Sequence, residues 1–169
     1  MLSTLSSPTA HGTLTLRPET ASAEDAAFVY TLFAGTKAAE MALMPLDDAG
    51  KTFLLRMQYR SMTMTYRQQY PDARYEIAEL DGVPVGRLVT DVQADCVYYV
   101  DIAVLPDRQG GGVATALMQM ALEEPKRLGL PGRVKVMSSN VASLRLCQKL
   151  GMTLRQDMPP MVELEWRAS

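Results

Sequence analysis

The sequence has 169 residues and a net charge of −2, from 17 Lys plus Arg against 19 Asp plus Glu. That balance excludes a nucleic-acid partner held by phosphate neutralisation, which needs a basic face. Hydrophobic residues make up 47% and charged residues 21%, an ordinary globular composition, and the length is that of one domain.

No apolar run approaches the ~20 residues that span a bilayer, so no membrane partner is expected. The start, Met1 to Gly12, lacks the basic and apolar regions of a secretion signal. Cys96 and Cys147 make neither a disulfide framework nor a metal pair, so no metal is expected. Reduced thiols in a cytoplasm are the simplest reading. The single histidine, His11, lies in a Ser/Thr-rich leader, which argues against a His-based triad.

In chain order, residues 1–12 read as a flexible N-terminal tail, and residues 13–169 as a single domain. Thr13 to Arg17 alternates as a strand that Pro18 stops. Ser22 reads as a helix N-cap, with Asp25 three residues on and Phe28, Val29, Leu32 and Phe33 at helical spacing. The stretch from Ala38 to Asp48 is ambiguous. Asp47 and Asp48 open a longer helix to about Gln69, ended by Pro71. It is apolar nearly all round, so it is either sandwiched or lines a cavity. Its methionines, with those just before it (residues 41–64), suit core packing, a dimer contact or a malleable acceptor pocket.

The period then changes to two. Tyr75 to Leu80 and Val83 to Val92 form a hairpin around Asp81-Gly82. Val97 to Leu105 follows, apolar enough for burial on both faces. After the glycine-rich Pro106 to Gly112, a helix begins at about Val113, and Pro125 is expected to kink or end it. Arg133 to Met137 is a short strand. Val141 to Leu150 is a short helix with Gly151 at its C-cap. Met152 to Arg155 and Met161 to Trp166 close the chain as strands.

The chemistry sits where strand, glycine loop and helix meet. Free N–H groups in a helix's first turn, with the positive dipole end, favour a phosphate, and glycines let it come close. A Walker loop is excluded because no Lys is present. A dinucleotide fingerprint fails because Thr115 occupies its third glycine position and no acidic ribose partner follows. A purely structural glycine turn is the alternative.

Gln109-x-x-Gly112-x-Ala114 resembles the acyl-CoA motif of the GNAT superfamily of N-acetyltransferases, Gln/Arg-x-x-Gly-x-Gly/Ala. Downstream, Asn140-x-x-Ser143-x-x-Leu146-Cys147-x-Lys149-x-Gly151-Met152 resembles that family's Asn-x-x-Ala-x-x-Leu-Tyr-x-Lys-x-Gly-Phe. The resemblance implies an α/β (α+β) fold. Its mixed, curved sheet has about six or seven strands, with helices on both faces. A V-shaped splay opens between the fourth and fifth strands, Val97–Leu105 and Arg133–Met137. The pantetheine arm of acetyl-CoA enters there. By resemblance, Ile102, Ala103 and Val104 offer main-chain contacts to it. Gln109, Gly110, Gly111, Gly112, Val113 and Ala114 offer N–H groups to the pyrophosphate. Asn140 and Ser143 lie in the second motif, and Asn140 would touch the cofactor arm or a bound water.

The activity implied is direct attack by an amine on the thioester, the acceptor being a small-molecule or protein amine. The oxyanion would be held by the N–H of Val104 or its neighbour. The family's tyrosine acid is replaced by Cys147, whose reference pKa is ~8.5 against ~10 for tyrosine. Three readings stay open: Cys147 is the acid, the thiolate leaves unaided or through water, or Tyr98 or Tyr99 substitutes; outside the first, Cys147 is a small buried hydrophobe, as most free cysteines are. Asp101 is a candidate general base, or equally a structural carboxylate. Alternation alone leaves open whether it faces the site. Glu76 and Glu79 read as solvated. Arg60, Arg67 and Arg87 either meet an acidic substrate or are ordinary surface arginines. The rival reading is an acyl-CoA-binding regulatory or scaffold module without turnover.

Overall fold

All of the strands among the described residues join one sheet. The computed structural model describes residues 5–169. In chain order the elements are β1 (Ser6–Thr9), β2 (Gly12–Pro18), α1 (Ala23–Ala42), α2 (Asp48–Gln69), β3 (Arg74–Leu80), β4 (Val83–Val92), β5 (Val97–Val104), a 3-10 turn (Pro106–Arg108), α3 (Val113–Leu128), β6 (Gly132–Met137), α4 (Val141–Lys149), β7 (Thr153–Met158) and β8 (Met161–Trp166). The sheet order is β1-β2-β3-β4-β5-β6-β8-β7. Every neighbouring pair is antiparallel except β5–β6, which is parallel.

The sheet has eight strands, more than the expected six or seven. The extra one is β1, which pairs with β2 from Ser6↔Thr15 to Thr9↔Gly12. The flexible tail expected over residues 1–12 is therefore corrected: residues 6–9 are a strand. Residues 1–4 of that expectation lie outside the described residues. β1 is an edge strand of Ser, Pro and Thr with no buried residue, so it carries no apolar alternation to read.

The helices fall on both faces, as the sequence implied. The main core lies under α3: Leu117, Val113, Ala121 and Leu122 pack with Leu14, Val85, Leu88, Val97 and Tyr99 of the sheet and with Cys147 of α4. α1 buries Val29, Leu32 and Met41, which lie outside that cluster, and it pairs with α2. No residue of α2 is fully buried. Among the described residues no helix is long and apolar enough to cross a membrane.

Ser22 caps α1, accepting from the Asp25 N–H at 3.1 Å. The Asp25 side chain does not reach back to the cap. It receives a two-pronged contact from Arg17, at 2.7 and 2.9 Å, and bonds from Thr20. The Arg17 guanidinium holds this carboxyl well below the usual carboxylate range. Its contribution to stability is present above pH ~4 and is lost as acid titrates the folded carboxyl.

Pro125 does not end α3, which runs to Leu128 and stops at left-handed Gly129. A proline there removes the N–H that would bond to the carbonyl of Ala121. The Tyr99 hydroxyl takes that carbonyl instead, at 2.9 Å. The loss inside the helix becomes a tie to β5. Gly132 opens the start of β6, where a Cβ would come within 3.2 Å of the Tyr99 ring.

Leu117 is fully buried at the centre of α3. Leu117→Ala is expected to lower stability by about 3 kcal/mol in a denaturant titration. A loss below about 1 kcal/mol would show that α3 does not anchor this core.

Candidate active site

β5 and β6 begin as partners and then part. They pair at Val97↔Gly132, Tyr98↔Arg133 and Tyr99↔Val134 and no further. β5 continues along β4 to Val104↔Gly86, and β6 continues along β8 to Met137↔Met161. Past the fork, the facing edges of Val100–Val104 and Lys135–Met137 have no ladder partner. Such an edge asks for amide groups from elsewhere.

The register explains where the side chains point. Tyr99 pairs with Thr90, but Asp101 pairs with Val89, so Val100 is an extra residue on β5. A bulge re-aims everything after it. Tyr99 faces α3, and strict alternation would send Asp101 the same way. The bulge turns Asp101 and Ala103 to the opposite face, into a cleft of about 580 Å3 between the sheet and helices α1 and α2.

Four residues of the cleft's floor come from the sheet: Arg87, Asp101, Ile102 and Ala103. Its walls are two stripes at helical spacing. Val29, Leu32, Phe33, Thr36 and Lys37 come from α1, and Gln58, Ser61, Met62, Thr65 and Tyr66 from α2. Of the two readings open for α2, sandwiched or lining a cavity, the structure shows the second. Met62 faces the cleft, Met41 is buried, and Met57 and Met64 are more than half exposed.

Arg87 is not a surface arginine. It is 3% exposed, 2.9 Å from Glu19 and 3.5 Å from Asp101. Glu19 escaped the sequence reading, because nothing local marks it. It also meets Arg67 at 3.4 Å, and Arg67 lies 3.5 Å over the ring of Tyr75. Burial pushes the Asp101 carboxyl up, and the Arg87 guanidinium opposes this only in part. The Tyr66 phenol is pushed up to about 12, chiefly by burial and then by Asp101, so it stays protonated at neutral pH.

The other carboxylates are corrected. Glu79 is not solvated but bonds to Arg17 at 2.5 Å. Glu76 has a buried oxygen without a hydrogen-bond partner, and burial pushes its carboxyl up.

Tyr98 and Cys147 do not line the cleft with Asp101. Tyr98 sits before the fork, its ring 5.6 Å from that of Tyr70. Tyr99 is committed to Ala121 and fully buried. Cys147 is 5% exposed within the main core, and burial pushes its thiol up.

The glycine loop follows β5 directly. Gln109 ties it down, its Nε2 donating to the Val104 carbonyl at 3.2 Å. Gly110 and Gly112 both take positive φ, 84° and 81°, with open space where a Cβ would stand. Gly112 is the N-cap of α3 and offers no side chain, and the first helical bond runs from the Ala116 N–H to its carbonyl. The N–H groups of Val113, Ala114 and Thr115 therefore lack helical partners and point to the loop side. Gly111 faces His11 from the β1–β2 turn, where a Cβ would come within 2.9 Å of the imidazole. That contact depends on the pairing of β1 with β2, which no local pattern in the sequence marks. Asn140 is the N-cap of α4, its Oδ1 accepting from the Ser143 N–H at 3.2 Å.

A sheet forked between two parallel strands, with an anion-favouring loop at the end of one, is the frame of acyl-CoA-dependent transferases. The chain belongs to that class: it is a member of the acetyltransferase (GNAT) family, whose model matches residues 42–152. That family takes its acetyl group from acetyl-CoA. No curated protein shows a significant match. Solved structures do. The chain is similar to the PaiA N-acetyltransferase of Thermoplasma acidophilum in complex with coenzyme A, with 15% identity over 92% of this chain and 99% of that one, at TM-score 0.69. It is also similar to Mycobacterium smegmatis RimJ in complex with CoA-disulfide, with 18% identity over 98% and 87%, at TM-score 0.67. The ribosomal-protein-S18-alanine N-acetyltransferase of Escherichia coli gives 17% identity over 91% and 93%, at TM-score 0.60. At these identities the likeness is one of fold.

Gly112→Asp places bulk and negative charge beside the free N–H groups, while aspartate tolerates positive φ better than most residues. Calorimetry with coenzyme A is expected to show affinity at least about tenfold weaker, a change of ~1.4 kcal/mol. Unchanged affinity would place the phosphates elsewhere.

Proposed function

We propose that this chain is an N-acetyltransferase that moves an acetyl group from acetyl-CoA to an amine held in the α1–α2 cleft, with Asp101 as the general base. The observation that carries this is the bulge at Val100, which sets a partly buried carboxylate in the cleft beside the unpaired edge of β5. The residues fit the carrier. The open edges past the fork suit its amides, and the loop suits its pyrophosphate.

In this reading Ile102, Ala103 and Val104 bind through their main chain, and Gln109 to Ala114 hold the phosphates. Asn140 and Ser143 keep a side-chain nitrogen and a hydroxyl beyond their capping bond. Acetyl-CoA supplies an activated carbonyl on a good leaving group. Asp101 accepts the proton of the entering ammonium, which frees the nitrogen lone pair. Arg87 and Glu19 fix the carboxylate in place. A main-chain N–H on the open edge of β5 holds the oxygen that gains charge. The core position of Cys147 supports departure of the thiolate without a proton from that residue.

Asp101 acts only when ionised, so kcat/KM falls with falling pH through a pKa that burial raises above the ordinary carboxylate range. Asp101→Asn is expected to lower kcat by about a hundredfold or more with acetyl-CoA affinity kept. An unchanged kcat would remove Asp101 from the mechanism. Cys147→Ala is expected to keep kcat within about threefold across the pH profile, because burial disfavours its thiolate but no proton is drawn from it. A steep loss on the alkaline side alone would restore the cysteine acid. Coenzyme A binding with no turnover of any amine would make this an acyl-CoA-binding module instead.

A further inference from the structure

The cleft between α1 and α2 is two-sided in its chemistry. Val29, Leu32 and Phe33 make one wall apolar. The facing stripe carries Gln58, Ser61 and Thr65. Gln58 Oε1 is shielded from solvent and has no hydrogen-bond partner. A buried carbonyl without a donor is costly, and a donor presented from the cleft that Gln58 lines would satisfy it. The hydroxyls of Ser61 and Thr65 stand on the same stripe and can donate. One acceptor beside two hydroxyl donors complements the N–H and C=O of an amide.

Charge narrows the acceptor further. The charged residues of the lining are Lys37, Arg87 and Asp101, two cations against one anion. The single carboxylate already lies 3.5 Å from Arg87, and Lys37 is engaged with Glu40 at the rim, at 3.1 Å. A polyamine would bring several cations to one carboxylate that Arg87 already shares, since Glu19 and Glu40 are engaged with Arg87 and Lys37. A single ammonium on an otherwise uncharged body needs only that one carboxylate.

We propose that the acceptor is an apolar α-amino amide: a monoamine whose side chain lies on the α1 wall and whose amide N–H is given to Gln58 Oε1. This rests on the acetyl-transfer reading of the same cleft. Gln58 is then the residue that sets specificity. A free amino-acid amide and the α-amino end of a peptide present the same chemistry.

The test compares kcat/KM with acetyl-CoA for leucinamide, leucine methyl ester, spermidine and a Leu-initiated tripeptide. The ester keeps the skeleton and the α-amine but replaces the N–H donor with oxygen. Leucinamide is expected to exceed the ester by about tenfold or more, since a site built for a donor rejects the analogue lacking it. Spermidine is expected to fall below both. Gln58→Leu is expected to bring leucinamide down to the ester's level while the ester keeps its rate, which also shows that the variant is folded. A tripeptide faster than leucinamide assigns the site to a peptide end, and a slower one to the free amide; both support the proposal. Equal use of amide and ester, a preference for spermidine, or equal loss of both substrates in Gln58→Leu overturns it and leaves acetyl transfer standing. No turnover of any acceptor overturns both.

Discussion

β5 and β6 stop pairing after Tyr99 and Val134, and most of the molecule's chemistry depends on where that happens. Up to that point two parallel strands share a ladder. Beyond it each strand keeps only its outer neighbour. The extra residue at Val100 lies one position past the last pair, so the fork and the bulge occur together. The bulge leaves a backbone edge open and turns Asp101 away from the core. The hinge point itself is pinned from the α3 side. Tyr99 is fully buried and bonded to a helix carbonyl that Pro125 leaves free, while Gly132 gives its ring room. A forked sheet needs such an anchor, because the strands past the fork gain nothing from each other.

The second constraint is the buried guanidinium of Arg87. A charge removed from water must be paired, or folding loses several kcal/mol. Glu19 provides the close partner at 2.9 Å, and Asp101 stands further off at 3.5 Å. This division of labour leaves Asp101 with a carboxyl that burial has made more basic, yet still held in one place. Two acids around one base thus take different roles because their distances differ. Tyr66, Arg67 and Tyr75 close the same cluster from α2 and β3, which couples the cleft floor to the helix above it.

Much of this was legible beforehand. Ser22, Asp47 and the Asp81-Gly82 turn mark their elements by local chemistry, and the structure keeps each. The glycine loop and the two motifs indicated the family and the carrier it uses. What misled was equally physical. β1 is polar and lies on an edge, so its pairing leaves no pattern. Pro125 reads as a breaker because its missing N–H is visible in the sequence, while the tyrosine hydroxyl that compensates lies 26 residues away in the chain. For Cys147, which sits where a family tyrosine stands, the motif leaves a catalytic thiol and a small buried hydrophobe both open, and the core that surrounds it is a tertiary fact.

Apart from β1, the sequence by itself determined which segments are strands, helices and turns, and it identified the anion-favouring loop, because caps, periodicity and glycine conformations act over a few residues. The tertiary structure alone decided which carboxylate faces the cleft, which arginine is buried and that the single histidine meets the loop. Those outcomes turn on a single inserted residue in one strand and on partners dozens of positions apart. A one-residue shift reverses the face of every side chain that follows, and no local pattern records it.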